Sequence, residues 1–254
     1  YQTEVLGNCG SEVAQLGLKY VHNDTCYPAL LVIGQFLDAL NSGKYDLDHT
    51  ALLITQTGGG CRASNYIHLL RKALAKAGYG YVPVISLSMT GLEKNSGFRI
   101  TFSVLRMAIA ALAYGDLLMS LDNQTRPYEK RPGDSAAAVA RWQERLSDLL
   151  AKGKGCFVRD VKRISKQIAA EFDAIPVYPK NKLKVGIVGE IYVKYSALGN
   201  NGLEKFLFEQ GCEVCLPGIL GFAMYMAENS VIGYELYGGS AVIKTAAAAA
   251  RRYL

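Results

Sequence analysis

The chain has 254 residues, half of them hydrophobic, six cysteines and a formal net charge of +6. That length and apolar content support one large domain or two ordinary ones with a core that needs no staples, which excludes a small secreted disulfide scaffold. The positive balance comes without a zinc-finger spacing, a basic arm or an aromatic RNA-binding motif, so no nucleic-acid partner is expected.

In chain order, "LKYV" (18–21) is a short apolar piece that reads as a first strand, followed by a helical pattern over 27–40 that Asn41-Ser42-Gly43 closes. "TALLITQT" (50–57) has the continuous apolar character of a buried strand. A helix over 63–77 follows, with Ile67, Leu70 and Leu74 at helical spacing and Gly78 as its stop. "YVPVISLS" (81–88) completes a strand–helix–strand–helix–strand order, which implies a parallel sheet covered by helices on both faces. A long helix is predicted over 100–121 and two more over 135–151 and 158–172. "IPVYPKNK" (175–182) has the composition of a linker. "LKVGIVGE" (183–190) then opens a new strand, "NGLEKFLFEQG" a helix, "CEVCLP" (212–217) a second strand, and "KTAAAAARRYL" a helical tail. The expected architecture is α/β: a doubly wound domain over 1–121, a basic helical segment and linker over 122–182, and the start of a second, incomplete doubly wound domain over 183–254.

The charge is unevenly placed. Residues 122–184 hold 14 Lys and Arg against eight Asp and Glu, whereas the remainder balances at 14 against 14. Two readings stand for that segment, a solvated helix face or a surface for an anionic ligand or acidic partner. The opening "YQTEVLGNCG" lacks the layout of a signal peptide, so a cytoplasmic protein with reduced thiols is expected. The longest apolar stretch, 107–115, lies between Arg106 and Asp116 and falls short of the ~20 residues of a bilayer span, so no membrane is expected either.

The chemistry concentrates in two places. "NDTCYPALLVIGQ" puts Cys26 on the turn that opens one helix, and "TQTGGGCRASNY" puts Cys61 on the turn that opens the next. In an open parallel sheet the loops at the carboxyl ends of strands converge, so both thiols are expected at one sheet edge. A helix N-terminus favours the thiolate, and soft thiolates select zinc, copper(I) or iron–sulfur clusters. There is no CxxC, and none of the three histidines has ligand spacing, which disfavours a zinc knuckle. Packed, incidental thiols remain the competing reading. Gly58, Gly59 and Gly60 could instead cradle a phosphate or flavin mononucleotide, although they form neither a Walker A nor a G-x-G-x-x-G pattern.

The segments "KYVHNDTCYPALLVIGQFLDAL", "DLDHTALLITQTGGGCRASNYIHLLRKAL", "PVISLSMTGLEKNSGF" and "KVGIVGEIYVKYSALGNNGLEKFL" together resemble the 2-hydroxyglutaryl-CoA dehydratase-like iron–sulfur family. The resemblance is to the branch encoded with, or fused to, an ATP-dependent activator, and runs from about residue 16 to 220. It implies two Rossmann-like domains holding a [4Fe–4S]-type cluster or a larger derivative. Cys26 and Cys61 would be metal ligands, with a third ligand from the second domain. It further implies one-electron transfer to an acyl-CoA-like substrate, and as partners an activator protein or domain and a homologous subunit or the remainder of a longer chain. A small-molecule reductase carrying the cluster, or a non-catalytic subunit that binds flavin or phosphate or positions an activator, are the alternatives.

Around this frame, Arg62, Ser64 and Asn65 are candidates to hydrogen-bond a cluster or substrate, or simply open the helix. Ser64 and Glu190 are the catalytic candidates. Asn23 and Asp24 are expected to cap the first cysteine's helix. Asn200 and Asn201 are either ligands or turn residues. Cys9 and Cys156 are expected to pack or lie exposed without a role. Cys215 is the second domain's one strand-end cysteine with Cys212 beside it; it is expected to pack, the missing ligand lying past residue 254 or on another subunit.

Overall fold

The structure is a computed structural model and describes residues 2–22, 24–56, 61–88, 101–179 and 181–253. The elements in order are α1 (Ser11–Tyr20), α2 (Tyr27–Asn41), β1 (Leu52–Gln56), α3 (Tyr66–Ala77), β2 (Val84–Ser88), α4 (Phe102–Thr125), α5 (Asp134–Ala151), α6 (Val158–Asp173), β3 (Lys184–Gly186), α7 (Ile191–Tyr195), α8 (Ala197–Asn200), α9 (Leu203–Glu209), β4 (Glu213–Cys215), α10 (Ile219–Tyr237) and α11 (Ala241–Tyr253). The chain is mixed α/β and mostly helical, with two small parallel sheets. It divides into two compact units that do not follow chain order: Tyr1–Ile100 with Gly189–Leu203, and Thr101–Val188 with Glu204–Leu254. The bounds of these units differ from the boundaries expected at 121 and 182. The basic helices share a core with α4, and residues 189–203 return to the first unit.

In the first unit, α1 and α2 form a helical hairpin of unusual closeness. A Cβ on Gly17 would lie 2.2 Å from the Leu30 carbonyl oxygen, and one on Gly34 would lie 2.0 Å from that of Val13. The two glycines let backbone meet backbone, and this corrects the first predicted strand. Residues 18–20 of "LKYV" belong to α1, which buries Val13 and Gly17 against α2, and only Val21 is extended, as the C-cap. Cys26 thus follows a helix rather than a strand. Elsewhere in this unit, β1 and β2 pair in parallel from Leu52↔Val84 to Gln56↔Ser88. Ile33, Leu37 and Leu40 of α2 and Ile67, Leu70 and Leu74 of α3 close over Leu52 and Ile54. β1 alternates buried and exposed residues, and Leu53 is 43 % exposed, so this two-stranded sheet is covered on one face where two were expected. α3 ends where Gly78 adopts φ +87, a left-handed C-cap that glycine enters without a Cβ penalty.

The second unit is built on three helices. Ala110, Tyr114 and Leu118 of α4 pack with Ala138, Trp142 and Leu146 of α5 and with Ile164, Ile168 and Phe172 of α6. The apolar run at 107–115 continues past Asp116. Phe102–Tyr128 is consequently long and apolar enough, by length and composition alone, to cross a membrane, contrary to the length expected from the sequence. Here it serves as the central helix of that core. Asp116 is used where it stands: its carboxylate accepts from the Ile219 and Leu220 N–H groups at 2.9 and 2.7 Å and so caps α10. The β3–β4 pair runs from Lys184↔Glu213 to Gly186↔Cys215. The stretch read as a linker is a strap. Lys130 N–H donates to the Pro176 carbonyl at 2.9 Å, Tyr178 N–H to the Tyr128 carbonyl at 2.7 Å, and Glu129 bridges Val177.

Tyr114 gives this core an alkaline limit. Its ring is 1 % exposed, its hydroxyl donates to the Gly155 carbonyl at 2.7 Å, and burial pushes its pKa from the usual 10.0 up to about 12, with Asp160 adding to the rise. The unfolded chain loses this proton first. The stability it contributes is therefore fully present below pH 10.0 and is lost as pH rises towards about 12. Tyr114→Phe is expected to cost about 1 kcal/mol at neutral pH and to flatten the fall in urea midpoint across that alkaline window. An unchanged alkaline slope in the variant would remove Tyr114 from the account.

Candidate functional site

The first unit brings Cys26 to a phenol on the segment that carries Cys61. Cys26 holds the N-cap position of α2 in an extended conformation, with no side-chain cap bond of its own, and Pro28 in the first turn supplies a helix-ready φ. Its Sγ lies 3.0 Å from the Tyr66 hydroxyl. Tyr66 is the first residue of α3, and Ile67 and Leu70 soon after it are fully buried, so the phenol is carried by the core rather than by a loop. Burial comes first in pushing the Tyr66 pKa upward, followed by the hydrogen bond and charge of Cys26 and then the charges of Cys61 and Glu190. Cys26 is thus in contact with the hydroxyl, which also feels the charges of Cys61 and Glu190. Cys26 is half-buried and Cys61 exposed.

Cys61 sits at the entrance of a single 3₁₀ turn, Arg62–Ser64, and the turn is pinned from both sides. The Ser64 hydroxyl donates back to the Cys61 carbonyl at 2.7 Å, and Gln56 Nε2 donates to the Ser64 carbonyl at 2.9 Å. Gln56, buried at the end of β1, also accepts from the Ser86 hydroxyl of β2 at 2.7 Å. The position of Cys61 therefore depends on a polar chain that starts inside the sheet. Ser64 spends its hydroxyl on that turn. Arg62 and Asn65 are exposed beside Cys61, and Asn65 makes no side-chain cap bond to α3.

Glu190 caps α7 by accepting from the Val193 N–H at 3.1 Å, and as part of residues 189–203 it belongs to this unit. It is not the end of a strand, since β3 stops at Gly186. Asn200 donates to the carbonyls of Val193 and Lys194 and accepts from the Leu203 N–H, while Asn201 takes φ 55. Asn200 thus ends α8 and Asn201 is its left-handed C-cap. Asp24 pairs with His22 and does not cap α2. Asn23 and the run Gly58, Gly59, Gly60 lie outside the described residues, and with them the phosphate-loop reading.

In the second unit Cys156 is buried in the helical core, where Arg106 Nε donates to its sulfur at 3.4 Å. Cys215 ends β4 and is exposed, not packed as expected, on a cleft of about 400 Å³ with Ser120, Asn123 and Lys184; Cys212 is half-buried. Cys9 is exposed. Much of the basic excess is matched locally: Arg126 with Asp122, Arg131 with Asp134, Arg141 with Glu171, Arg163 with Asp160 and Lys184 with Glu213. What remains outward on α6 is Arg159, Lys162 and Lys166, spaced along one face.

The donor set can be weighed against a metal. Among the described residues no group of three or more His, Cys, Asp or Glu is arranged to hold a metal ion. Cys26 and Cys61 are therefore two thiols of one unit and not a complete ligand shell. Sequence reasoning finds both thiols but misses Tyr66, Gln56 and Ser86. A signal for the first is present, since Tyr66 follows "CRASN" at the first position of an amphipathic helix. Comparisons with known protein families, with curated proteins and with solved structures found no match.

Proposed function

We propose that the protein binds an iron–sulfur cluster through Cys26 and Cys61 and works as a low-potential electron-transfer component of the 2-hydroxyacyl-CoA dehydratase type. The observation that carries this reading is the 3.0 Å contact of Cys26 with Tyr66, on the segment that also carries Cys61, within one compact unit. When bound, such a cluster supplies one electron at low potential. The chain's own residues would then divide the work. Cys26 and Cys61 supply thiolates, each from the turn before a helix; the Gln56–Ser64 bond keeps the Cys61 turn in place; Arg62 and Asn65 offer exposed hydrogen-bonding groups next to it.

The remaining ligands belong to the same proposal and come from another subunit or from a longer chain, as does the pairing of two Rossmann-like domains. So do the acyl-CoA-like substrate, the ATP-dependent activator and a cytoplasmic location. The outward cations Arg159, Lys162 and Lys166 support an anionic partner, a phosphate-bearing ligand or an acidic protein surface.

The test is purification without oxygen followed by iron and sulfide analysis. The wild type is expected to be brown and to carry both elements. Cys26→Ser and Cys61→Ser should each lose most of the iron, while Cys9→Ser and Cys156→Ser keep it. A colourless, iron-free wild type, or full iron content in Cys61→Ser, would overturn the reading, and yellow protein with structured absorption bands would replace it with a flavin site.

A further inference from the structure

We propose that Tyr66 is the positioning residue of Cys26: its hydroxyl holds the sulfur by a hydrogen bond and, given the cluster reading on which this rests, sets the potential of the bound group. The geometry is specific. The phenol oxygen is 3.0 Å from Cys26 Sγ, well inside hydrogen-bond reach for sulfur. The residue is anchored independently of any ligand, because α3 is locked onto the sheet by Ile67, Leu70, Ala73 and Leu74, all buried. Cys61 precedes Tyr66 by little more than a helical turn, so one short segment carries a thiol and the group that holds the other thiol.

The direction of the bond follows from chemistry. A metal-bound cysteine sulfur has no proton to give, so the only hydrogen available is that of the phenol, and Tyr66 donates. A hydrogen bond into a ligating sulfur withdraws charge from it and favours the reduced cluster. The same bond selects the Cys26 rotamer before any metal arrives. Glu190, whose charge also reaches this hydroxyl, spends one carboxylate oxygen on the α7 cap.

Tyr66→Phe removes the donor and keeps the ring, so folding and iron content should stay at wild-type levels. Two readouts separate the proposal from the reading beneath it. In loaded protein, the reduction potential of Tyr66→Phe is expected to move to a more negative value at equal iron content. In metal-free, reduced protein, the S–H stretching band of Cys26 in the Raman spectrum, assigned by its loss in Cys26→Ser, is expected to move to the position of a thiol without a phenol partner. An unmoved band overturns the proposal whatever the iron content. An unmoved potential at equal iron content overturns it also. A shifted band in a wild-type protein that takes up no iron upholds the Tyr66–Cys26 bond and overturns the cluster reading alone.

Discussion

Gly34→Ala is expected to lower the stability of the first unit by about 2–3 kcal/mol, a fall of roughly 10 °C in its melting temperature. The reason is where the new methyl would go. At 2.0 Å from the Val13 carbonyl oxygen and 3.0 Å from the Gly17 nitrogen it meets backbone, which cannot rotate aside as a side chain can. α1 and α2 must separate, and the fully buried Val13, Leu31 and Ile33 lose their close packing as they do. Gly17→Ala should behave alike, since its Cβ would sit 2.2 Å from the Leu30 carbonyl oxygen. The control is Gly115→Ala in the middle of α4, where an added Cβ meets nothing within 4 Å. Helix propensity alone predicts a gain there of about 0.8–1 kcal/mol. Thermal and urea unfolding of the three variants checks the pattern. Equal stabilities for Gly34→Ala and the wild type would mean that the hairpin is not closely packed. Because Cys26 stands at the N-cap position of α2, the proposed cluster site predicts that iron uptake falls with Gly34→Ala although neither proposed ligand is changed.

Tyr128→Phe is expected to cost the second unit about 2–3 kcal/mol, more than the loss of an ordinary hydrogen bond. Glu213 is only 2 % exposed, and its carboxylate is held by the Tyr128 hydroxyl at 2.7 Å and by Lys184 at 3.2 Å. Tyr128, 1 % exposed, also accepts from the Lys182 N–H at 3.3 Å. Removing the hydroxyl leaves a buried carboxylate oxygen and a backbone donor without this partner at one stroke. Burial, followed by the bond to Glu213, holds the Tyr128 phenol above its ordinary pKa, so the pair stays intact through neutral pH and the contribution is lost only as alkaline pH rises through that raised value. Lys184 is largely exposed, and Lys184→Ala should cost much less. The discriminating variant is the double change Tyr128→Phe with Glu213→Met. With both polar partners gone, it should be more stable than the sum of the two single losses. Strict additivity in urea unfolding would show that the two groups do not act as a pair.

Elements whose ends carry their own chemistry are legible in the order of amino acids alone. Tyr27-Pro28 marks the start of α2, Gly78 the end of α3, and the apolar spacing of Ile164, Ile168 and Phe172 the inward face of α6, because caps and periodicity act within a turn or two of the chain. The placement of Cys26 and Cys61 on helix-opening turns is legible for the same reason. Contacts between distant residues are not. "LKYV" is apolar enough for a strand, and only the approach of Gly17 to α2 makes its first three residues helix. Pro176 and Tyr178 look like linker residues until Tyr128 and Lys130 offer them backbone partners. The sequence by itself determined which residues could be thiolate donors and which turns present them. The tertiary structure decided that Cys26 meets Tyr66, on the segment that carries Cys61, and that residues 189–203 return Glu190 to that unit, since a helix's local signals specify its face but not the partner that covers it.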